Sequence, residues 1–312
     1  SPIICYSSGS GVDNMIDIVY RIGHFLLITV FTMTLGLLFM GIARKIVARI
    51  QKRYGPPVYQ PYLDVLKLFG KDAVTHGFIF DFGAVMALGG VITTLFFIPL
   101  GSWQLYSMEG TVLLVIYLLA VASLGMAMGT VGSGNPQASL GISRALTQML
   151  GYELPYLVIL FALIFRYQTS SIWGLMQAQA GSFLNWNLFA YPLLAAVAFV
   201  VLIGMMGKKP FDAMIAPSEI GSGPVVESGG KYLGMLLLQK SITIIIELAL
   251  YVNLFLGGAE NIIIFTFKML IVWILATMFG SLFPRFRIED GVKFFWKWPL
   301  GIAILQALYI II

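Results

Sequence analysis

Charge is scarce in this chain. Of its 312 residues only 11% are Asp, Glu, Lys or Arg, while 59% are hydrophobic. A soluble domain carries about 25% charged residues, so a water-facing globule is excluded. Cysteine is scarcer still. Cys5 stands alone, which excludes an internal disulfide framework and a four-thiolate cluster. The two histidines, His24 and His76, lie far apart in sequence. Together with one cysteine they supply no closed zinc or haem shell, so the chain is expected to hold no metal or redox cofactor of its own. His24 reads as a packed or interfacial side chain, and Asp81 as a residue flanking an apolar span. The first residues lack the basic start and short apolar core of a signal peptide, so none is read there.

What is present in abundance is apolar sequence, in runs of about 20 residues, the length that crosses a hydrocarbon core of about 30 Å. Barrel strands would be about ten residues long and alternating. The fold class expected is therefore all-α: a polytopic membrane helical bundle of about eight transmembrane helices. These are placed over residues 18–43, 79–100, 111–130, 145–165, 188–207, 233–256, 262–283 and 294–312. No internal repeat and no long linker divides them, so one integral membrane domain is expected over 1–312.

Lysine and arginine are distributed unevenly. Residues 44–78 hold Arg44, Lys45, Arg49, Lys52, Arg53, Lys67 and Lys71; the other connections on that side add Arg144, Lys208, Lys209, Lys231, Arg285, Arg287 and Lys293. The opposite connections offer Arg21 and Arg166. This bias predicts a cell-membrane protein with cytoplasmic long loops at 44–78, 131–144 and 208–232, and with both termini outside.

The first basic loop continues a helix out of the first span, with Lys45, Arg49 and Lys52 or Arg53 on one face. Gly55-Pro56-Pro57 breaks it. A short amphipathic helix then starts near Pro61, with Asp64, Lys67 and Lys71 as its polar stripe, too short to span and suited to the interface. Two roles fit these cations: holding anionic lipid, or docking a soluble subunit.

Ionisable groups also stand inside apolar runs. Glu153 sits in the fourth span, where a charge costs roughly 2.5–3.5 kcal/mol even on a lenient scale. It is either a satisfied structural carboxyl or part of an ion path. Arg144 lies nine residues before it, about 13 Å along a helix, and does not pair with it directly. Lys240 and Glu247 are seven residues apart on one helical face, and Lys268 lies in the seventh span. A compensating buried network and ion conduction both account for them. The segment 208–232 carries Asp212, Glu219 and Glu227 among Pro210, Pro217 and Pro224 and several glycines. Such backbone cannot run as one helix and is tolerated near membrane depth where it lines a cavity. Its acids are expected to face a wet, enclosed space; an ordinary solvated loop is the alternative.

Three loops in order, "RIQKRYGPP…QPYLDVLKLFGK", "SRALTQMLGYE" and "KKPFD…SEIGSGPVVESGG", resemble the quinone-site membrane subunit of respiratory complex I and its relatives. Those relatives anchor group 4 membrane-bound nickel–iron hydrogenases, formate hydrogenlyases and sulfur-reducing complexes. The resemblance covers the chain from about Arg44 to the last span. It implies that Glu153, after Gln148, Met149 and Tyr152, is the family's intramembrane glutamate, and that Arg144 is its upstream arginine. Pro210, Phe211 and Asp212 open the acidic loop, and Glu219 and Glu227 continue it. Ile215 and Pro217 stand where complex I members carry two glutamates, Ser228-Gly229 replaces a Tyr-Ser pair, and the first loop is contracted. The contracted first loop is more similar to the hydrogenase branch than to the quinone branch.

The resemblance implies a non-redox anchor and coupling subunit of a ferredoxin-linked, hydrogenase-type oxidoreductase complex. Its cofactors, iron–sulfur clusters and a nickel–iron centre, would reside in soluble partner subunits docked on Arg44, Lys45, Arg49, Lys52, Arg53, Asp64, Lys67 and Lys71. Antiporter-like membrane partners would move H⁺ or Na⁺. Ion coupling would run through Arg144, Glu153, Asp212, Glu219, Glu227, Lys240, Glu247 and Lys268. The lipid bilayer is a partner and nucleic acid is not. The same subunit in a sulfane-sulfur reductase, a formate hydrogenlyase or a quinone-reducing enzyme is the alternative within the family. A stand-alone secondary transporter is the alternative outside it, although such proteins carry internal repeats.

Overall fold

The computed structural model describes residues 11–214 and 217–311; Cys5 and Ile215 lie outside the described residues. Helices account for most of the chain, and among the described residues there is no β-sheet. They are α1 (Gly11–Ile50), α2 (Gln60–Phe69), α3 (Phe78–Thr94), α4 (Thr111–Gly132), α5 (Pro136–Tyr167), α6 (Ile172–Gln177), α7 (Asn187–Ala190), α8 (Pro192–Met205), α9 (Pro217–Ile220), α10 (Gly230–Phe255), α11 (Ile262–Leu282), α12 (Ile288–Lys297) and α13 (Pro299–Ile311).

Five of these, α1, α4, α5, α10 and α11, are long and apolar enough to cross a hydrocarbon core. The spans expected at 79–100, 188–207 and 294–312 coincide with shorter apolar helices: α3 of 17 residues, α8 of 14 and α13 of 13. At 1.5 Å per residue α8 is only about 21 Å long. Neighbouring chain is buried too, with Leu95, Ile98 and Leu100 after α3 and Ile172 and Leu175 in α6 packed into the core. α10 is buried along almost its whole length. It touches α1, α3, α8 and α11, as a helix at the centre of a bundle does.

Two boundaries differ from expectation. α5 begins at Pro136, so the loop expected at 131–144 shrinks to residues 133–135. The cause is local: Asn135 accepts a hydrogen bond from the Gln137 amide, and Pro136 fills the first turn, where its missing N–H costs nothing. The last apolar run is preceded by α12, whose first turn carries Glu289 and Asp290. Pro299 separates α12 from α13, because a proline ring cannot donate to the preceding turn.

α3 and α4 form the closest helix pair. Gly83 and Gly90 of α3 meet Gly125, Gly129 and Ala122 of α4, backbone against backbone, the small-residue packing that membrane helices use in place of a hydrophobic drive. A Cβ added at Gly83 would fall on Gly129 and lie 2.7 Å from the Gly125 carbonyl oxygen. Gly83→Val is therefore expected to cost about 1–3 kcal/mol or more and to lower the thermal midpoint in detergent by several degrees. Gly89→Val is the control, since a Cβ there meets nothing within 4 Å.

Candidate coupling site

The connections 51–59, 70–77, 133–135 and 283–287, with the described parts of 206–229, gather at one end of the bundle, the basic end. There the acidic segment is held by ion pairs. Arg144 of α5 donates to Glu219 at 2.9 Å. Arg285, between α11 and α12, reaches Asp212 at 3.0 Å and Glu219 at 3.4 Å. Glu227 accepts a 2.6 Å hydrogen bond from Asn135 and lies 3.7 Å from the His76 ring nitrogen. The Arg144 and Arg285 guanidiniums hold the Glu219 carboxyl below its ordinary range, against a smaller opposing effect of desolvation.

Phe211 shows how the chain presents Asp212. Its ring is buried against Phe286, Phe294 and Phe295, and its carbonyl accepts from the Gln148 amide of α5. The Pro210 carbonyl accepts from the Phe286 amide at 2.9 Å. Further along, Gly223 and Pro224 press against Gly141 of α5, where an added Cβ would lie 2.8 Å from Gly223 Cα. The segment is thus broken as its prolines and glycines predict, and closely seated on α5.

Beside it lies a cavity of about 290 Å³. α5 contributes Gln148, Tyr152, Glu153 and Tyr156 to its wall, α10 contributes Gln239, Lys240 and Glu247, and the acidic segment contributes Asp212. Most of the remaining wall is apolar. Lys240 donates to the Met206 carbonyl at 3.0 Å. Glu247 is 4% exposed, and its Oε2 has no hydrogen-bond partner. Lys240 and Glu247 share the cavity, as their spacing predicts, without pairing directly.

The expectation that all three acids of the segment face an enclosed space holds for Asp212 alone. Glu219 and Glu227 sit at the outer rim, drawn out by Arg144, Arg285, Asn135 and His76. Lys268 lies apart from this site. At the opposite end of the bundle it donates to the Leu256 and Gly258 carbonyls at 2.7 and 2.5 Å and stands over the Trp186 ring, finishing the C-terminus of α10. His24 packs between Tyr20 and Trp103, and Asp81 lies in the first turn of α3.

The docking residues divide into two groups. Arg44 pairs with Asp64 at 2.9 Å and ties α1 to α2. Desolvation raises the Asp64 pKa, but hydrogen bonds from Arg44 and Gln60 outweigh it and leave the carboxyl below its ordinary range. Lys45 and Arg49 lie over the Tyr54 ring, and Arg53 bonds Gln51. Lys52, in a left-handed turn, is exposed, as are Lys67 and Lys71. Two important residues were not singled out from sequence: Arg285, which bridges two of the acids, and Lys208, which donates to Thr277 under the Trp273 ring. A basic residue flanked by helices in a short connection is the signal Arg285 carried. Among the described residues no group of three or more His, Cys, Asp or Glu is placed to hold a metal.

Long apolar helices around a buried central helix, with ionisable groups lining an interior cavity, define a polytopic α-helical membrane protein. The chain belongs to the NADH dehydrogenase family, the membrane subunits of complex I-like assemblies, whose profile matches residues 23–311. It is 30% identical to a subunit of the F(420)H(2) dehydrogenase of Methanosarcina mazei, over 89% of this chain and 90% of the relative. It is also 30% identical to the corresponding subunit of Methanosarcina barkeri, over 88% and 90%. A solved structure of the membrane-bound sulfane sulfur reductase, an archaeal respiratory membrane complex, contains a chain 40% identical to this one. The TM-score is 0.89, over 93% of this chain and 99% of that one. The family read from the three loop motifs is the family found, and the fold is the polytopic helical bundle expected.

Proposed function

We propose that the chain is the membrane anchor and coupling subunit of a complex I-like respiratory complex. Soluble iron–sulfur and nickel–iron-type subunits dock on its basic end, which faces the cytoplasm, and both termini face outward. The chain itself carries no redox centre. Electron transfer in the docked subunits, with ferredoxin as donor, biases the acidic segment, and antiporter-like membrane subunits move H⁺ or Na⁺. One observation carries this reading: Asp212 belongs both to the exposed cluster of Arg144, Glu219 and Arg285 and to the wall of the cavity that reaches Glu153 and Glu247. A charge arriving above the cluster is thereby felt at membrane depth, because a partly dry carboxylate changes its protonation preference when a neighbouring charge changes. The family match supports this over a stand-alone transporter. For the reaction of the docked module, 40% identity to a chain of the sulfane sulfur reductase favours a sulfur-reducing partner, while the contracted first loop favours a hydrogenase-type one.

The test uses the intact complex. Glu219→Gln and Glu153→Gln are expected to leave electron transfer in detergent largely intact. Ion uptake into sealed vesicles should fall by about 100-fold, the lower end of what one positioned proton-transfer group contributes. The double variant should be less than additive, as for residues in one path. Unchanged ion uptake per electron pair in both single variants would make the segment a docking surface only.

A further inference from the structure

A second cavity, of about 730 Å³, opens at the basic end between the last turns of α1 and α11 and is backed by residues 207–209. Four cations line it, Arg44, Arg53, Lys208 and Lys209, against one carboxylate, Asp212. That carboxylate is already bonded to Arg285, and Arg44 is bonded to Asp64. Among the described residues, no carboxylate forms an ion pair with Arg53, Lys208 or Lys209. Lys208 is instead folded inward over Trp273, 3.3 Å from the ring centroid. The C-termini of α1 and α11 lie beside the cavity and bring roughly half a negative charge each, which leaves an excess of positive charge. Lys208, partly withdrawn from water in this way, is costly there until an anion joins it, whereas Arg53 and Lys209 are exposed and free to meet one.

The rim has the opposite character. Ile50, Met278 and Leu282 adjoin the lining residues Gln51, Thr277 and Ser281 in sequence, and all three are exposed apolar side chains. A basic cleft between helices with an apolar rim is the shape that receives an anionic lipid head group. We propose that this cavity binds the phosphate of an anionic phospholipid among Arg53, Lys208 and Lys209, with the acyl chains lying along Ile50, Met278 and Leu282. Free phosphate shares the headgroup chemistry but makes no use of the rim.

The test is binding of a fluorescent short-chain phosphatidylglycerol to the purified intact complex in neutral detergent. Saturable binding is expected, displaced by unlabelled phosphatidylglycerol and not by phosphatidylcholine or millimolar inorganic phosphate. Arg53→Gln combined with Lys209→Gln should weaken it about 20- to 30-fold, the loss expected for two basic contacts. Lys293→Gln, exposed on α12, should leave it unchanged. Both replaced residues of the double variant lie on the surface side of the cleft, and Lys209→Gln alone, expected to lose about fivefold, guards against misfolding. Equal binding by wild type and the Lys209→Gln variant would overturn the site. So would an equal loss in Lys293→Gln, which would mean diffuse surface attraction. Displacement by inorganic phosphate would overturn the lipid assignment.

Discussion

Replacing Arg285 by methionine is expected to release the acidic segment from the bundle. Arg285 is the ion-pair partner of Asp212 and one of two for Glu219. Asp212 and Arg285 are each only about one-fifth exposed. Loss of one partner from a fully buried pair costs about 3–5 kcal/mol, and from an exposed pair about 0–1 kcal/mol. This pair lies between those limits, at about 2 kcal/mol. Amide hydrogen exchange around Gly221–Gly223 should then quicken about 20- to 30-fold, since 1.4 kcal/mol is tenfold. The same contact carries a pH dependence. The pKa of Glu219 lies below its ordinary 4.5 because of Arg144 and Arg285. Its contribution is present above pH 4.5 and is lost as pH falls through the lowered value. Wild type should stay protected at neutral pH and loosen in acid, whereas Arg285→Met should start loose and change less. An exchange profile indistinguishable from wild type would show that the segment is held without Arg285, by its Phe211 anchor, the Arg144–Glu219 pair and the contact with Gly141.

Glu247→Leu should separate stability from function in opposite directions. The carboxyl is nearly inaccessible, and one of its oxygens has no partner. Burying an ion costs several kcal/mol even after relaxation. Lys240 is two turns away, about 10 Å along the helix, and at an effective dielectric of about 20 it returns only roughly 1.6 kcal/mol. Desolvation therefore outweighs attraction, and an apolar side chain of similar size is expected to stabilise the bundle by about 1–3 kcal/mol, seen as a rise of several degrees in the thermal midpoint. If the carboxyl carries ions between the cavity and its neighbours, ion uptake in vesicles should fall by about 100-fold or more. Such a trade is the mark of a group kept for function. A variant less stable than wild type would mean that Glu247 serves the packing of α10. A variant with full ion uptake would remove it from the path.

The sequence by itself determined the class of this protein and its family. Scarce charge and long apolar runs are local properties; in a bilayer only helices and closed barrels satisfy the backbone, and unalternating runs of about 20 residues select helices. Pro56, Pro57 and Pro210 marked breaks because a ring without an N–H acts wherever it stands. Three short loops carried the family, since each motif is contiguous. The spacing of Lys240 and Glu247 was legible for the same reason: both lie on one helix, and its period sets their common face. The Asn135-Pro136 cap was equally local, although the apolar run that follows drew attention past it.

Tertiary structure decided everything that depends on two distant segments. Arg285 stands 66 positions beyond Glu219 and 73 beyond Asp212, and no local pattern signals that it bridges them. Arg144 meets Glu219 instead of Glu153 because the acidic segment folds back along α5, through the contact of Gly141 with Gly223 and Pro224. Lys268 and Lys240 read alike in sequence, each a lone cation in an apolar helix. The fold sends Lys240 into a cavity with three carboxylates and Lys268 to the far end of α10, to satisfy carbonyls that a helix end leaves open. Burial, and the choice between an ion pair and an unpartnered charge, are properties of the packed bundle, so which of these charged groups share a site was settled there.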